Sequence, residues 1–243
     1  MIFPPFLPGL NEKERRKKEK VMRIDIKQDL MDENNAYAAE NRLLFRRYGV
    51  FTLNVMGAPG AGKTTLLERI LRRIHQRIRA AVIEGDLATA KDARRIADCG
   101  VPVVQINTDG GCHLDALMIN KVLSGFYLDD IDLLIIENVG NLVCPAAFDL
   151  GEDLRMVVMS IAAGGDKPSK YPTAFLAADI VVLNKMDMLE MVDIDLAEMK
   201  KDILNIKPDI KIFQTCCRKG EVHGVDELAE YLIKLTKAKH ADD

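Results

Sequence analysis

The sequence predicts an α/β fold: a mostly parallel, twisted sheet of about seven strands with helices on both faces. Three observations predict it. From Gly49 onward, short aliphatic runs alternate with helix-period segments. Runs such as Leu133–Ile136 and Ile180–Leu183 are apolar throughout rather than at every second residue, as strands covered on both faces tend to be. The chain has 243 residues with 48% apolar content, which suits one aliphatic core and leaves little room for a second.

Taken in order, residues 1–22 contain a Pro-rich apolar tip, MIFPPFLPGL, and the charge block Asn11–Lys20. They are expected to be a disordered tail ahead of a single domain over 23–243, with Met22 an alternative start. The tip lacks the charged segment of a secretory signal. A helix is predicted over Asp29–Tyr48, with Leu30, Ala36, Ala39, Leu43 and Leu44 on one face and Gly49 as its stop. Strands are predicted at Phe51–Met56, Ala80–Glu84, Val101–Ile106, Leu133–Ile136, Arg155–Ile161, Ile180–Leu183 and Lys211–Gln214. Helices are predicted near 63–79, 89–98, 113–124, 172–178, 193–205 and 225–238. Gly164–Tyr171 reads as a loop.

Composition excludes several classes. The 34 Lys and Arg nearly balance 37 Asp and Glu, so binding of nucleic acid through bulk positive charge is not expected. No run approaches the roughly 18 to 20 apolar residues of a membrane span. Five Cys, an odd number without framework spacing, point to a reducing compartment, and a cytoplasmic location is expected.

Gly57-Ala58-Pro59-Gly60-Ala61-Gly62-Lys63-Thr64 matches the P-loop pattern between a strand and a helix. Glycines let backbone N–H groups approach a phosphate, Lys63 reaches the β- and γ-phosphates, and Thr64 offers a hydroxyl to Mg²⁺. The helix that follows, Thr65 included, points its positive end at the anion. Asn184-Lys185-Met186-Asp187 follows a strand. A carboxylate there accepts from both N1–H and the amine of guanine, a donor pair adenine lacks. The alternative is an ordinary Asn/Asp turn. Asp86 and Glu137 end strands at the same sheet edge. Asp86 is expected as a second Mg²⁺ contact through water. Glu137 and Gly140 are expected to sense the γ-phosphate. The alternative for each acid is a cap.

Cys112 and His113 are read as opening the helix at 113, where a thiol shifts toward thiolate. Cys144 lies seven residues beyond Glu137. Two thiolates and an imidazole suit Zn²⁺ or Ni²⁺, and leave a position that a second copy of the chain could fill. On composition alone, small apolar filler is the better reading of the two thiols.

The set GAPGAGKTT, EGD, NTDGGCHLDA, ENVGNLVCP, GGDKPSKYP and NKMD resembles the nickel-incorporation GTPases of nickel–iron hydrogenase maturation, over roughly residues 23–236. The resemblance reverses the filler reading. It implies a P-loop GTPase that dimerises with GTP. It places metal ligands at Cys112, His113 and Cys144 on the dimer interface. It places nucleotide contacts at Gly60–Thr65, Asp86, Glu137, Gly140, Asn184, Lys185 and Asp187, and assigns the Lys167 and Lys170 loop to the nucleotide or the partner copy. It also implies a second nickel-delivery accessory protein and the hydrogenase large subunit as partners. Two departures stand out. Residues 1–30 hold neither Cys nor His, so no separate nickel-storage site is expected. Thr215-Cys216-Cys217-Arg218 stands where the family has a Ser-Ala-Lys-like base loop; the side-chain cover of guanine that the Lys gives is not expected here, and the contacts expected at Thr215 and Cys216 are those of the backbone. Slow turnover is expected, since no water-positioning Gln or arginine finger stands out. Three rivals are a urease-type nickel GTPase, disfavoured because Ala146 rather than His follows Cys144-Pro145, a P-loop small-molecule kinase, and a non-catalytic GTP switch.

Overall fold

The structure, a computed structural model, describes residues 26–86 and 91–241, with side chains described for 29–85 and 91–240. The tail expected over 1–22 and the side chain of Asp86 lie outside them. In chain order the elements are α1 (Ile26–Arg47), β1 (Phe51–Met56), α2 (Lys63–Ile74), β2 (Ala80–Asp86), α3 (Lys91–Ala97), β3 (Val103–Asn107), α4 (Ala116–Leu123) and β4 (Leu133–Glu137). Then follow α5 (Cys144–Ala147), β5 (Leu154–Ser160), α6 (Lys167–Lys170), α7 (Pro172–Ala177), β6 (Ile180–Asn184), α8 (Leu196–Ile206), β7 (Lys211–Arg218), β8 (Glu221–His223) and α9 (Val225–Ala241).

The sheet runs β3-β2-β4-β1-β5-β6-β7-β8, and every pairing except the last is parallel. The chain takes β2 to β4 to one side of β1 and β5 to β8 to the other. The carboxyl ends of β1 and its neighbours therefore flank a topological switch point, where such sheets bind ligands. α2 and α9 cover one face. α2 buries Leu66, Leu67, Ile70, Leu71 and Ile74 completely, and trimming any one to Ala costs about 2–5 kcal/mol. On the other face, Phe45 of α1 and Phe175 of α7 are fully buried in two separate clusters.

Four sequence expectations change. An eighth strand exists: β7 runs on to Arg218 and turns back through Lys219-Gly220 into β8, so Thr215–Arg218 is strand rather than loop. Gly220 takes a φ of 86°, which the tight turn requires. The helix predicted over 63–79 stops at Ile74, and a turn then carries Ile78 into the core. Gly164–Tyr171 contains the helical turn α6. Finally, the buried face of α1 is Asn34, Ala38, Asn41 and Phe45, while Leu30 and Leu43 are 57% and 66% exposed. The two asparagines explain this. Asn41 donates to the carbonyls of Ala116 and Leu150, and Asn34 bonds Asp149 and Ala116 across the interface. Hydrogen-bonded amides can be buried, so apolar periodicity pointed to the wrong face.

Candidate functional site

β1 delivers the chain into Gly57–Gly62 at the carboxyl edge. A side chain at Gly57 would place its Cβ 2.5 Å from the Val158 carbonyl. Gly62 combines a φ of 90° with a Cβ position 2.5 Å from the Asn184 amide nitrogen. The loop is thus closed to larger residues at both ends. A cleft of about 490 Å³ opens beside it, lined by Gly60, Lys63, Thr64, Thr65, Glu137 and Gly140, with Lys185 at one side. That volume suits a small-molecule ligand. The Lys63 ammonium donates to the Gly57 carbonyl at 3.4 Å and so folds over the cradle.

Glu137 ends β4 and is 4% exposed. Its Oε1 accepts from the Thr64 hydroxyl at 2.8 Å, while its buried Oε2 has no hydrogen-bond partner. Burial pushes its carboxyl up to about 6, against the opposing pull of Lys63 and Thr64. A hard oxygen pair with one unsatisfied lone-pair set, beside a P-loop, fits a divalent cation such as Mg²⁺. Asp86 ends β2 opposite Asn107 of β3, so its backbone stands at the same edge. Sequence reasoning missed Arg95. It lines the cleft, yet its guanidinium is held by Thr65, Glu68 and Asp92.

At the other side of the P-loop, Asn184 is committed on both sides of its amide. It donates to the Ala61 carbonyl at 2.9 Å and accepts from the Thr215 hydroxyl at 3.0 Å. It therefore braces the phosphate loop against β6 and β7 rather than presenting a free group. Lys185 takes a left-handed φ of 65°. The Asp187 carboxylate lies two residues on and accepts from the Cys216 thiol at 3.3 Å. Burial raises the Cys216 thiol above its ordinary value, so it stays a donor. Lys167 lines a neighbouring hollow with Lys185 and lies 5.6 Å from the Tyr171 ring centre, while Lys170 pairs with Asp166.

The ligand atoms of Cys112, His113 and Cys144 all lie within 4.8 Å of one another. Cys112 and His113 come from the loop after β3, and Cys144 begins α5. α4 starts at Ala116, capped by Asp115, so Cys112 and His113 precede it rather than opening it. The expected drive toward thiolate is accordingly missing: the neighbouring Cys144 sulfur, then burial, raise the Cys112 thiol. Burial lowers His113, which keeps the imidazole in its neutral, ligating form. Its ring stacks on Phe148 at 3.8 Å between centroids, which fixes its orientation. Cys112 is exposed and Val143 beside the cluster is 58% exposed, so the site opens outward. Cys99, Cys216 and Cys217 are buried elsewhere.

A strap, Glu137–Val143, joins the two sites. It starts on the Thr64 hydroxyl, pairs with the P-loop through a Gly57–Asn141 backbone bridge, and ends at Cys144. Gly140 sits so close over Pro59 that a Cβ would lie 3.1 Å from its ring.

Proteins of similar sequence and fold are known. Residues 51–214 match the family described as CobW/HypB/UreG, nucleotide-binding domain. The chain is 47% identical over 219 residues to the hydrogenase maturation factor HypB of Azotobacter vinelandii, covering 89% of this chain and 69% of that protein. It thus spans about two thirds of that relative's length. The crystal structure of HypB from Archaeoglobus fulgidus superposes with a TM-score of 0.78 at 40% identity, covering 84% of this chain and 99% of that one. HypB from Helicobacter pylori, solved in complex with nickel, gives 0.78 at 36% identity, with 85% and 96% covered. Among the described residues, no helix is long and apolar enough to cross a membrane.

Proposed function

Because the chain belongs to the CobW/HypB/UreG nucleotide-binding family, we propose that it is a GTP-hydrolysing metallochaperone that delivers nickel during nickel–iron hydrogenase maturation. One observation carries the reading: the strap that begins on Thr64 in the phosphate cleft ends in a thiol grouped with Cys112 and His113.

The backbone N–H groups of Gly60–Thr65 and the Lys63 ammonium hold the phosphates. Asp187, steadied by Cys216, accepts from guanine, and Asn184 and Thr215 keep that recognition loop locked to the P-loop. Thr64 and Glu137, with Asp86, hold Mg²⁺, which neutralises phosphate charge when bound. Gly140 offers its N–H to the γ-phosphate. Cys112, His113 and Cys144 take Ni²⁺ as cargo, Zn²⁺ being the competing ion, and a second copy of the chain completes the coordination across a GTP-dependent dimer. The exposed Val143 suits that contact. Residues 23–243 act as one domain in the cytoplasm, receiving nickel from an accessory protein and serving the hydrogenase large subunit. Hydrolysis proceeds by positioning and charge neutralisation, and slowly, since Arg95 is already engaged by Glu68 and Asp92.

Closing the strap over GTP moves Cys144, so metal affinity changes with nucleotide, and nucleotide affinity changes with metal by the same factor. The test is Ni²⁺ and Zn²⁺ affinity measured with GDP and with a non-hydrolysable GTP analogue. A difference of fivefold or more is expected. Equal affinities in both states remove the coupling.

A further inference from the structure

Cys144 is not the only ligand tied to the strap. The loop carrying Cys112 and His113 belongs to a different connection, after β3, yet two strap amides hold it. Asn138 is 1% exposed, and its Oδ1 accepts from the Leu114 N–H at 3.0 Å and from the Val139 N–H at 3.0 Å. Its Nδ2 donates to Asn54 of β1 at 3.3 Å. Three residues on, Asn141 donates to the Cys112 carbonyl at 3.3 Å while its Oδ1 accepts from the Val143 N–H at 2.9 Å. The two bonds bracket His113, one at the residue before it and one at the residue after it. Asn141 is also the strap residue bridged to Gly57 of the P-loop.

We propose that Asn138 and Asn141 are positioning residues that make Cys112 and His113 follow the strap, so that all three ligands, not Cys144 alone, respond to the nucleotide. Asn138 is the fixed end, anchored to the central strand through Asn54. Asn141 is the moving end, partly exposed and in contact with both the P-loop and the Cys112 carbonyl. This inference rests on the coupled GTPase reading above.

The test has a metal-free arm and a nickel arm. In metal-free full-length protein, the alkylation rate of Cys112 by N-ethylmaleimide is read peptide by peptide with GDP and with a non-hydrolysable GTP analogue. The wild type is expected to show a nucleotide-dependent rate at Cys112. In Asn141→Ala that dependence is expected to fall about fivefold or more, the worth of one net hydrogen bond, with the fold retained and Tm lowered by no more than a few degrees. The same variant should lose the nucleotide dependence of Ni²⁺ affinity. A Cys112 rate indifferent to nucleotide in the wild type, or a dependence that survives intact in Asn141→Ala, overturns the proposal. The second result is what simple shielding of Cys112 by a partner copy would give. A Cys112 response that needs Asn141, with Ni²⁺ affinity equal in both states, upholds the positioning role and sinks the metal-coupling reading instead. Asn138→Ala risks the fold, so it is compared only if its Tm stays within a few degrees of wild type. There, loss of the Cys112 response supports the proposal and retention counts against Asn138.

Discussion

The phosphate end and the metal end are built in opposite ways. The phosphate cradle is one continuous stretch whose shape is imposed by backbone sterics at Gly57 and Gly62 and locked by Asn184. The group proposed to hold the metal is assembled from two separate segments, the loop after β3 and the start of α5, with one member exposed and a few side-chain amides as its scaffold. A rigid cradle suits a ligand whose charge must be met at fixed points. An open, loosely held cluster suits a cargo that must leave. The largest expected effect lies at the rigid end. Lys63→Ala should lower multiple-turnover phosphate release by about 10³-fold or more, as loss of a charge-stabilising contact does. Turnover near wild type would place the chemistry elsewhere.

Rigidity at that end also makes it fragile. Gly62→Ala forces a side chain onto a φ of 90° and into the Asn184 amide. It should cost about 3 kcal/mol of stability, from left-handed strain plus two displaced hydrogen bonds. Urea denaturation reads this directly, and a change under 1 kcal/mol would show that the cradle yields. The metal end should behave in the reverse sense. Cys112→Ser should weaken Ni²⁺ binding by about 10²-fold or more, beyond what outer-shell changes cost, yet shift stability by less than about 0.5 kcal/mol, as exposed sites do. If that variant unfolds easily, the two ends are not as different as their exposure implies.

The same contrast governs what could be read from sequence. The P-loop was legible because sterics dictate glycine at fixed spacing, and the strands because a sheet covered on both faces favours largely apolar runs. The buried face of α1 was not, because Asn34 and Asn41 are buried through hydrogen bonds that no periodicity records. β8 was missed because a three-residue strand with two exposed side chains carries no pattern. At the site, Cys112, His113 and Cys144 were legible as one ligand set because both of their loops leave the carboxyl edge of the sheet, and they converge although β2 stands between β3 and β4. Asn138, Asn141 and Phe148 were missed as well. Amides in a loop read as turn formers, and only coordinates show that they reach across 24 and 29 residues to the metal loop.

The smallest effect concerns the group that belongs to both ends. Glu137 starts the strap and bonds Thr64, and burial holds its carboxyl up at about 6, above the ordinary 4.5. Between those values the folded protein binds more protons at this site than the unfolded chain, so stability rises as pH falls from 6 toward 4.5. The full difference is about 2 kcal/mol. Glu152, also raised by burial, adds a slope of the same sign, so the contribution is isolated by comparison with Glu137→Gln. In nucleotide-free protein the variant should lose about 2 kcal/mol of the pH dependence seen by denaturation across that window. With Mg²⁺ and a GTP analogue the preference inverts, because the cation needs the carboxylate, and wild-type nucleotide affinity should weaken as pH drops below about 6. Identical pH profiles for the two proteins would mean that Glu137 is already neutral or already paired. The strap would then have no electrostatic reason to respond to what enters the cleft.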